Sequence, residues 1–270
     1  MRSLDAPAKI NLALVVGPTR PAGKHEVATV LQRIDLADRI SLEPGPTLEI
    51  SGFPEDTLVR DALVVLASAA GVEPKWSVRI EKQIPVAAGL GGGSSDAAAA
   101  LRLANETLPR PQSAERLHEL AARLGADVPF FLTEGPQLGA GDGTELSPVE
   151  LPQDYFVIVV LLHGAGKAST GDVYRAFDER HRAQGFEHRR KALWRSLNEI
   201  HEARDLALLP PNDLARSEVA DALLELGAFR ADVCGAGPAV YGLFAESGPR
   251  GRVAGQFAGQ ARCWYARPAG

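Results

Sequence analysis

Alternating hydrophobic and polar positions dominate the first third of the chain, a pattern typical of strands with one buried face. It predicts strands in residues 9–17 (KINLALVVG), 46–52 (PTLEISG) and 76–85 (WSVRIEKQIP). The long segment 25–43 (HEVATVLQRIDLADRISLE) is predicted to form two strands, with Asp35-Leu36-Ala37-Asp38 as the turn between them.

A helical spacing of apolar residues appears between and after these strands. It predicts helices over residues 56–70, 94–105 and 113–124, the last of them closed by Gly125. Residues 136–146 (PQLGAGDGTEL) are rich in glycine and are predicted to form a hairpin or loop.

The second half of the chain opens with a continuous apolar run, YFVIVVLL, which is typical of a buried strand. Helices are expected to follow up to residue 208, and a helix capped by Asn212 or Asp213 is expected to run to Gly227. Strands at 229–234 and 239–245, a helix at 250–259 and a last strand, RCWYAR, complete the chain.

The element order of this half, β-α-β-β-α-β, is the split arrangement of ferredoxin-like domains. We therefore expect an α/β (α+β) protein of two domains, residues 1–150 and 151–270, with the boundary in LSPVELPQD.

Charge and cysteine content narrow the function classes. The 270 residues carry a net charge of −5 and no lysine- and arginine-rich block, which argues against a nucleic-acid or membrane partner. No apolar run reaches the roughly 18 residues of a spanning helix, and no apolar stripe implies an obligate protein partner. Cys234 and Cys263 lack metal-ligand spacing, and so few thiols fit a reducing cytosol, so we expect a cytoplasmic protein.

The segment IPVAAGLGGGSSD (84–96) carries the clearest chemical signal. Glycines before a helix let phosphate oxygens approach the unpaired N–H groups of its first turn. The segment is not a P-loop, because no lysine follows Gly93, and it fails the dinucleotide pattern, which needs Gly or Ala where Ser94 stands. The residues expected to form this phosphate-binding segment are Pro85, Ala88, Gly89, Leu90, Gly91, Gly92, Gly93, Ser94 and Ser95.

PVAAGLGGGSSDAAA resembles the central phosphate loop of the GHMP kinases, and CGAGPAVYGLF (234–244) resembles their third motif. PAKINLAL (7–14), GADVPFF (125–131) and STGDVYRAFD (169–178) are similar to the branch that phosphorylates 4-diphosphocytidyl-2-C-methyl-D-erythritol. The resemblance implies the GHMP kinase fold, with an N-terminal ATP-binding domain, a ferredoxin-like C-terminal domain and an active site in the cleft between them. It also implies ATP with Mg²⁺ as the phosphoryl donor and the 2-hydroxyl of that cytidine-diphosphate-linked acceptor as the target.

By the same resemblance, Asp127 is the catalytic base or orients the acceptor hydroxyl, and Lys9 lies beside it. From the residues alone, an N-cap is the favoured role of Asp127, and Lys9 could be a strand-edge lysine that reaches water. Asn11 shares the strand face of Lys9 and is expected to contact the acceptor. Ser95 is the expected Mg²⁺ contact, although the sequence does not rank it above Ser94.

For the cytidine end, the resemblance gives Tyr174 as a stacking aromatic and His25 as a residue that recognises the cytosine edge. Lys24 stands where the family pattern RPDGYHEL has tyrosine, and Ala22 where it has an acid. Lys24 could offer its alkyl stem, a cation–π contact or a charge for the diphosphate. His163 and Lys167 are further departures without an assigned role.

Gly235 and Gly237 are expected to bring backbone N–H groups to the transferred phosphate or the acceptor, although a plain hairpin connection also needs glycine. Two alternative functions stay open: a GHMP kinase for another small alcohol, such as homoserine or a mevalonate derivative, and a nucleotide sensor without turnover. Presence of both Lys9 and Asp127 argues against the sensor.

Overall fold

The computed structural model describes residues 1–21, 23–166, 169–180 and 183–270. Ala22 and Lys167, two of the departures noted above, lie outside the described residues. Two compact units make up the chain. The first contains Met1–Ala8, Ala37–Val86 and Gly91–Glu134, and the second contains Lys9–Leu36, Ala87–Leu90 and Gly135–Gly270. The units alternate along the chain, and the sequence boundary at residue 150 stays a prediction.

The strands of the described chain are β1 (Arg2–Thr19), β2 (His25–Pro44), β3 (Glu49–Ser51), β4 (Trp76–Glu81), β5 (Gln137–Ala140), β6 (Glu145–Pro148), β7 (Phe156–Leu162), β8 (Arg230–Val233), β9 (Val240–Phe244), β10 (Ala261–Ala266) and β11 (Pro268–Ala269). The helices are α1 (Thr57–Ala70), α2 (Gly92–Asn105), α3 (Ala114–Leu124), α4 (Thr170–Glu179), α5 (Phe186–Asn198), α6 (Glu218–Glu225) and α7 (Arg250–Gln256), with short 3₁₀ helices at Pro129–Leu132 and Ala203–Leu208. Within the described residues, no helix has the length and apolar character needed to cross a membrane.

The first unit is built around β4, whose alternating pattern buries Trp76, Val78 and Ile80. It pairs antiparallel with the last residues of β2 and parallel with β3. Helix α1 packs on α2 and α3, and α2 also contacts β4. This arrangement fixes the start of α2, where the glycine-rich segment ends.

The second unit contains a four-stranded antiparallel sheet in the order β10-β7-β9-β8. Its apolar side chains, among them Ile158 and Phe244, form one core with Leu223 of α6 and Val253 of α7. This strand order is that of a ferredoxin-like domain, so the predicted β-α-β-β-α-β arrangement is confirmed. The predicted hairpin at 136–146 is also present, as β5 and β6.

The predicted turn at residues 35–38 is wrong, because β2 runs without a break from His25 to Pro44. Asp38 is fully buried in this strand, and its Oδ1 atom accepts hydrogen bonds from the backbone N–H groups of Gln83 and Ile84. An aspartate that resembles a turn residue in sequence is therefore an internal hydrogen-bond acceptor.

The predicted helix start at Asn212 or Asp213 is also wrong, since α6 begins at Glu218 with Ser217 as its N-cap. Asn212 instead donates to the carbonyl oxygens of Val233 and Gly235. Asp213 accepts from the backbone N–H of Val16 in β1. Both side chains hold distant backbone segments, which local sequence pattern does not reveal.

Helix α1 depends on its N-cap. Asp56 accepts from the backbone N–H groups of Leu58 and Val59 and is 8% exposed. We expect Asp56→Ala to lower the free energy of unfolding by about 1 kcal/mol. Asp56→Ser should retain most of the stability that the cap contributes, because serine is also a good N-cap residue. Urea unfolding followed by circular dichroism measures the change, with the exposed Asp61→Ala as control. Equal stability of the two alanine variants would contradict the capping role.

Candidate active site

The glycine-rich segment ends in the first turn of α2, which begins at Gly92, two residues before the predicted start. Gly91 is the N-cap residue at φ 71°, a left-handed conformation that glycine adopts without strain. No side chain of the described residues caps this helix end, so its N–H groups and positive dipole are suited to an anion. Ser94 is half-buried, and Ser95 is only 2% exposed.

The earlier part of the segment packs backbone against backbone on the turn that joins β8 and β9. A Cβ atom on Gly89, at φ 85°, would lie 1.9 Å from the carbonyl oxygen of Cys234. One on Gly237 would lie 2.2 Å from the carbonyl carbon of Ala88. A hydrogen bond of 3.2 Å from the N–H of Ala239 to the oxygen of Ala88 joins the two loops. Two of the predicted ligand-binding glycines are therefore required for close packing between loops.

Lys9 lies beside these loops and is 4% exposed. Its backbone N–H donates to the carbonyl oxygen of Leu90, at 2.9 Å, and its Nζ donates to Oδ1 of Asn11, at 2.8 Å. Gly235, at φ 57°, covers this pair: a Cβ atom there would lie 3.2 Å from Nζ of Lys9. The second unit thus brings together Lys9, Asn11, Leu90 and Gly235, which come from three separate sequence motifs.

Asp127 belongs to the first unit, between the end of α3 and the 3₁₀ helix at Pro129–Leu132. The N-cap residue of that short helix is Val128, so capping does not account for Asp127. Asp127 is half-buried. Because Lys9 belongs to the other unit, their pairing stays a prediction.

His25 and Tyr174, both predicted to bind cytidine, lie together in the second unit with ring centroids 4.9 Å apart. Nδ1 of His25 is 2.8 Å from the carbonyl oxygen of Gly17, and a carbonyl can only accept, so this nitrogen carries the proton. Nε2 faces Asp178, at 3.3 Å. Nε2 also lies 3.5 Å from the hydroxyl oxygen of Thr19, so the ring is held in one orientation through both of its nitrogens.

Lys24 is largely exposed, and its ammonium lies 2.7 Å from Oδ2 of Asp142 in the β5–β6 loop. Hydrogen bonds from Lys24 and Thr144 lower the pKa of Asp142 to about 2. The charge of Lys24 is thus paired within the protein. His163 follows β7, and its backbone N–H donates to Gln260.

The sequence analysis missed a buried charged cluster directly behind the glycine-rich segment. Nζ of Lys82 lies 2.5 Å from Oδ2 of Asp38 and 2.8 Å from Oδ2 of Asp96 in α2. A Cβ atom on Gly92 would be 3.3 Å from the same Nζ. Lys82 therefore connects the residues before the segment to the helix after it. A lysine just ahead of the loop and an aspartate within an apolar strand are the signals that could have revealed it.

Asp96 shares the ammonium of Lys82 with Asp38, and only one of its two carboxylate oxygens has a hydrogen-bond partner among the described residues. Its Oδ1 is buried and has no hydrogen-bond partner among the described residues. Burial raises the pKa of Asp96 to about 7, although Lys82 opposes the shift. Burial alone would lower the pKa of Lys82, but the carboxylates of Asp96 and Asp38 outweigh it and raise that pKa.

This raised pKa predicts a pH dependence of stability. Folded Asp96 binds a proton more tightly than unfolded Asp96, so its contribution is complete below pH 4 and is lost as pH rises through about 7. We expect the free energy of unfolding to fall over this range by at most about 1.4 kcal/mol per pH unit. Denaturation of the wild type and of Asp96→Asn at several pH values isolates this contribution as their difference. A difference independent of pH would contradict it.

Comparison with known proteins identifies the family. The model for the GHMP kinases N terminal domain matches residues 57–135. The chain is 40% identical over 265 residues to 4-diphosphocytidyl-2-C-methyl-D-erythritol kinase of Anaeromyxobacter sp. (strain K), covering 90% of this chain and 80% of that one. The enzyme of the same name from Pelotomaculum thermopropionicum is 38% identical, with 93% and 92% covered.

The fold agrees with this assignment. A crystal structure of 4-(cytidine 5'-diphospho)-2C-methyl-D-erythritol kinase matches with a TM-score of 0.79 and 30% identity over 100% of both chains. The mevalonate kinase of Methanococcus jannaschii shares the fold, with a TM-score of 0.76 at 12% identity over 100% of this chain and 98% of that one. The chain therefore belongs to the GHMP kinases and, within them, to the 4-diphosphocytidyl-2-C-methyl-D-erythritol kinase family.

Proposed function

We propose that this protein transfers the γ-phosphoryl group of ATP to the 2-hydroxyl of 4-diphosphocytidyl-2-C-methyl-D-erythritol, a step of the non-mevalonate route to isoprenoid precursors. The observation that carries the proposal is the meeting of three motif segments at Lys9, through Leu90, Asn11 and Gly235. A buried ammonium in a polar, glycine-lined setting is suited to stabilise charge that develops during phosphoryl transfer.

ATP phosphates bind, in this proposal, at the first turn of α2. Gly92, Gly93 and Ser94 supply N–H groups that the helix itself does not use. Pro85 and Ala88 belong to the same segment, and the carbonyl of Ala88 is already engaged by Ala239. Leu90 links the segment to the backbone of Lys9.

Mg²⁺ arrives with ATP. No cluster of three or more His, Cys, Asp or Glu side chains in the described chain forms a metal cage. This fits Mg²⁺ held mainly by phosphate oxygens and water with one protein hydroxyl, which we assign to Ser95. Once bound, the ion neutralises phosphate charge.

Lys9 and Asp127 divide the catalytic work. Asp127 accepts or orients the proton of the acceptor 2-hydroxyl, and Lys9 stabilises negative charge nearby. Asn11 retains a second amide N–H and an oxygen lone pair beyond the bonds it already makes, so it is able to contact the acceptor as well.

The cytidine end of the acceptor binds at His25 and Tyr174. The tyrosine ring offers a stacking face, and the His25 ring beside it, whose Nε2 faces Asp178, contributes to recognition of the cytosine edge. Lys24 borders this region, and its ammonium is held by Asp142, which leaves its alkyl stem as the surface for a base. Gly235 and Gly237 shape the loop between β8 and β9 and have only backbone groups to offer a ligand.

The two predicted sequence domains, 1–150 and 151–270, and a cytoplasmic location also belong to the proposal. Cys234 and Cys263 are both free thiols in the structure, which suits a reducing compartment.

The acceptor assay tests the proposed function. With Mg·ATP, we expect the purified protein to release ADP when given 4-diphosphocytidyl-2-C-methyl-D-erythritol and not when given mevalonate or homoserine. Turnover of those two at an equal or greater rate would overturn the acceptor assignment. Nucleotide binding without turnover of any acceptor would favour the sensor.

Asp127→Asn tests the catalytic assignment. Since the amide cannot accept the hydroxyl proton, we expect kcat to fall by roughly 10²–10⁴-fold while the Kd for ATP changes less than about threefold. Rapid-quench kinetics and calorimetry measure the two quantities, with the exposed Asp61→Asn as control. A kcat near that of the wild type would show that Asp127 is not the base.

A further inference from the structure

A chain of side-chain hydrogen bonds leads from Lys9 into the interior of the second unit. Nζ of Lys9 donates to Oδ1 of Asn11 at 2.8 Å, and Nδ2 of Asn11 donates to the hydroxyl of Thr29 at 2.9 Å. The hydroxyl of Thr29 in turn donates to the backbone oxygen of Ala13 at 2.7 Å. Lys9, Asn11 and Thr29 are each 5% exposed or less.

The direction of this chain is set at both of its ends. The oxygen of Ala13 can only accept, so Thr29 must use its proton there and can receive only a donor from Asn11. Asn11 therefore turns its NH₂ group to Thr29 and its oxygen to Lys9. The ammonium of Lys9 can only donate, so this orientation of the amide matches it.

Rotation of its amide is the main freedom left to Asn11. Its backbone oxygen is held by the hydroxyl of Tyr241, at 2.9 Å, which itself accepts from the buried Arg230. Gly235 covers the other side, where a Cβ atom would lie 3.3 Å from Oδ1 of Asn11. A half-turn of the amide would place its NH₂ group against the ammonium of Lys9, two donors facing each other.

Thr29 is itself held in one orientation. It lies in β2 opposite Gly139 of β5, and a Cβ atom on Gly139 would be 3.0 Å from the methyl group of Thr29. The methyl group thus fills the space over the glycine, which directs the hydroxyl to Asn11 and Ala13. A β-branched side chain also has restricted rotation about χ1.

We propose that Thr29 is a positioning residue for phosphoryl transfer: its hydroxyl, together with Lys9, holds the Asn11 amide in place with its oxygen directed at the ammonium. The inference rests on the proposed function, because it assumes that Lys9 acts in the reaction. Thr29 touches neither substrate. Thr29 acts through Asn11, which holds the ammonium of Lys9 in position. A displacement of about 1 Å of a catalytic group is costly to the reaction rate.

Thr29→Val and Thr29→Ser separate the hydroxyl from the methyl group. Valine keeps the shape but cannot accept from Asn11, whereas serine keeps the hydroxyl. We expect kcat to fall by about tenfold to hundredfold in Thr29→Val, with KM for ATP within about threefold of the wild type, and to fall less than about threefold in Thr29→Ser. A merely structural role would not give this separation of kcat from KM and recovery by serine.

Thr107→Val is the matched control. The hydroxyl of Thr107 also donates to a backbone oxygen, that of Ala104, and accepts from a side chain, Nε1 of Trp76. The Thr107→Val variant therefore loses the same kind of hydrogen bonds as Thr29→Val, but none of them involves a proposed site residue. We expect its kcat to equal that of the wild type. Thr29→Ala, which adds no methyl group against Asn11, provides a second test should the valine variant not fold.

A crystal structure of Thr29→Val gives a readout independent of activity. We expect the amide of Asn11 to be displaced and its contact with Nζ of Lys9 to be lengthened, with Oδ1 still facing the ammonium because a turned amide would set two donors against each other. An unchanged contact, a Thr29→Val kcat within threefold of the wild type, or an equal loss in Thr107→Val would overturn the proposal. If the wild type used another acceptor, the proposed substrate would fail, and the same variants compared on that acceptor would still decide the role of Thr29.

Discussion

The close contact between two bare backbone segments, Ala88–Gly89 and the turn after β8, is the constraint on which the surroundings of Lys9 in the second unit depend. Each segment occupies the space where the other would carry a side chain, so glycine is required at Gly89 and Gly237. The contact brings Leu90 to the N–H of Lys9 and lays Gly235 over its ammonium. Close packing thereby creates a polar setting for a buried lysine, which an apolar interior would not tolerate.

Two lysines near the glycine-rich segment serve different physical purposes. Lys82 lies between two buried carboxylates, which it partly neutralises, and joins the start of the segment to α2. Lys9 donates to a neutral amide, that of Asn11, which in turn donates to Thr29. A P-loop combines structural support and phosphate contact in one sequence motif, whereas here the supporting lysine, Lys82, and the lysine proposed to act in the reaction, Lys9, lie far apart in sequence.

The region proposed to bind cytidine contains a residue that departs from the family pattern and has a partner in another loop. Lys24, which stands where the family pattern has tyrosine, forms an ion pair with Asp142 in the β5–β6 hairpin. Because this pair is largely exposed, its contribution to stability is small. Its effect is to hold the ammonium of Lys24, the residue before His25, at the β5–β6 loop.

The sequence by itself determined the ferredoxin-like order of the second half, the helix that follows the glycine-rich segment and the family. These features depend on local periodicity and on motifs whose residues are neighbours in sequence. It did not reveal that Asp38 lies within a continuous strand, that Asn212 and Asp213 brace distant backbone, or that Thr29 supports Asn11. Those roles were decided by tertiary structure, because a buried polar group is satisfied by whichever donor or acceptor the fold brings within 3 Å or so, and that partner has no fixed distance along the chain.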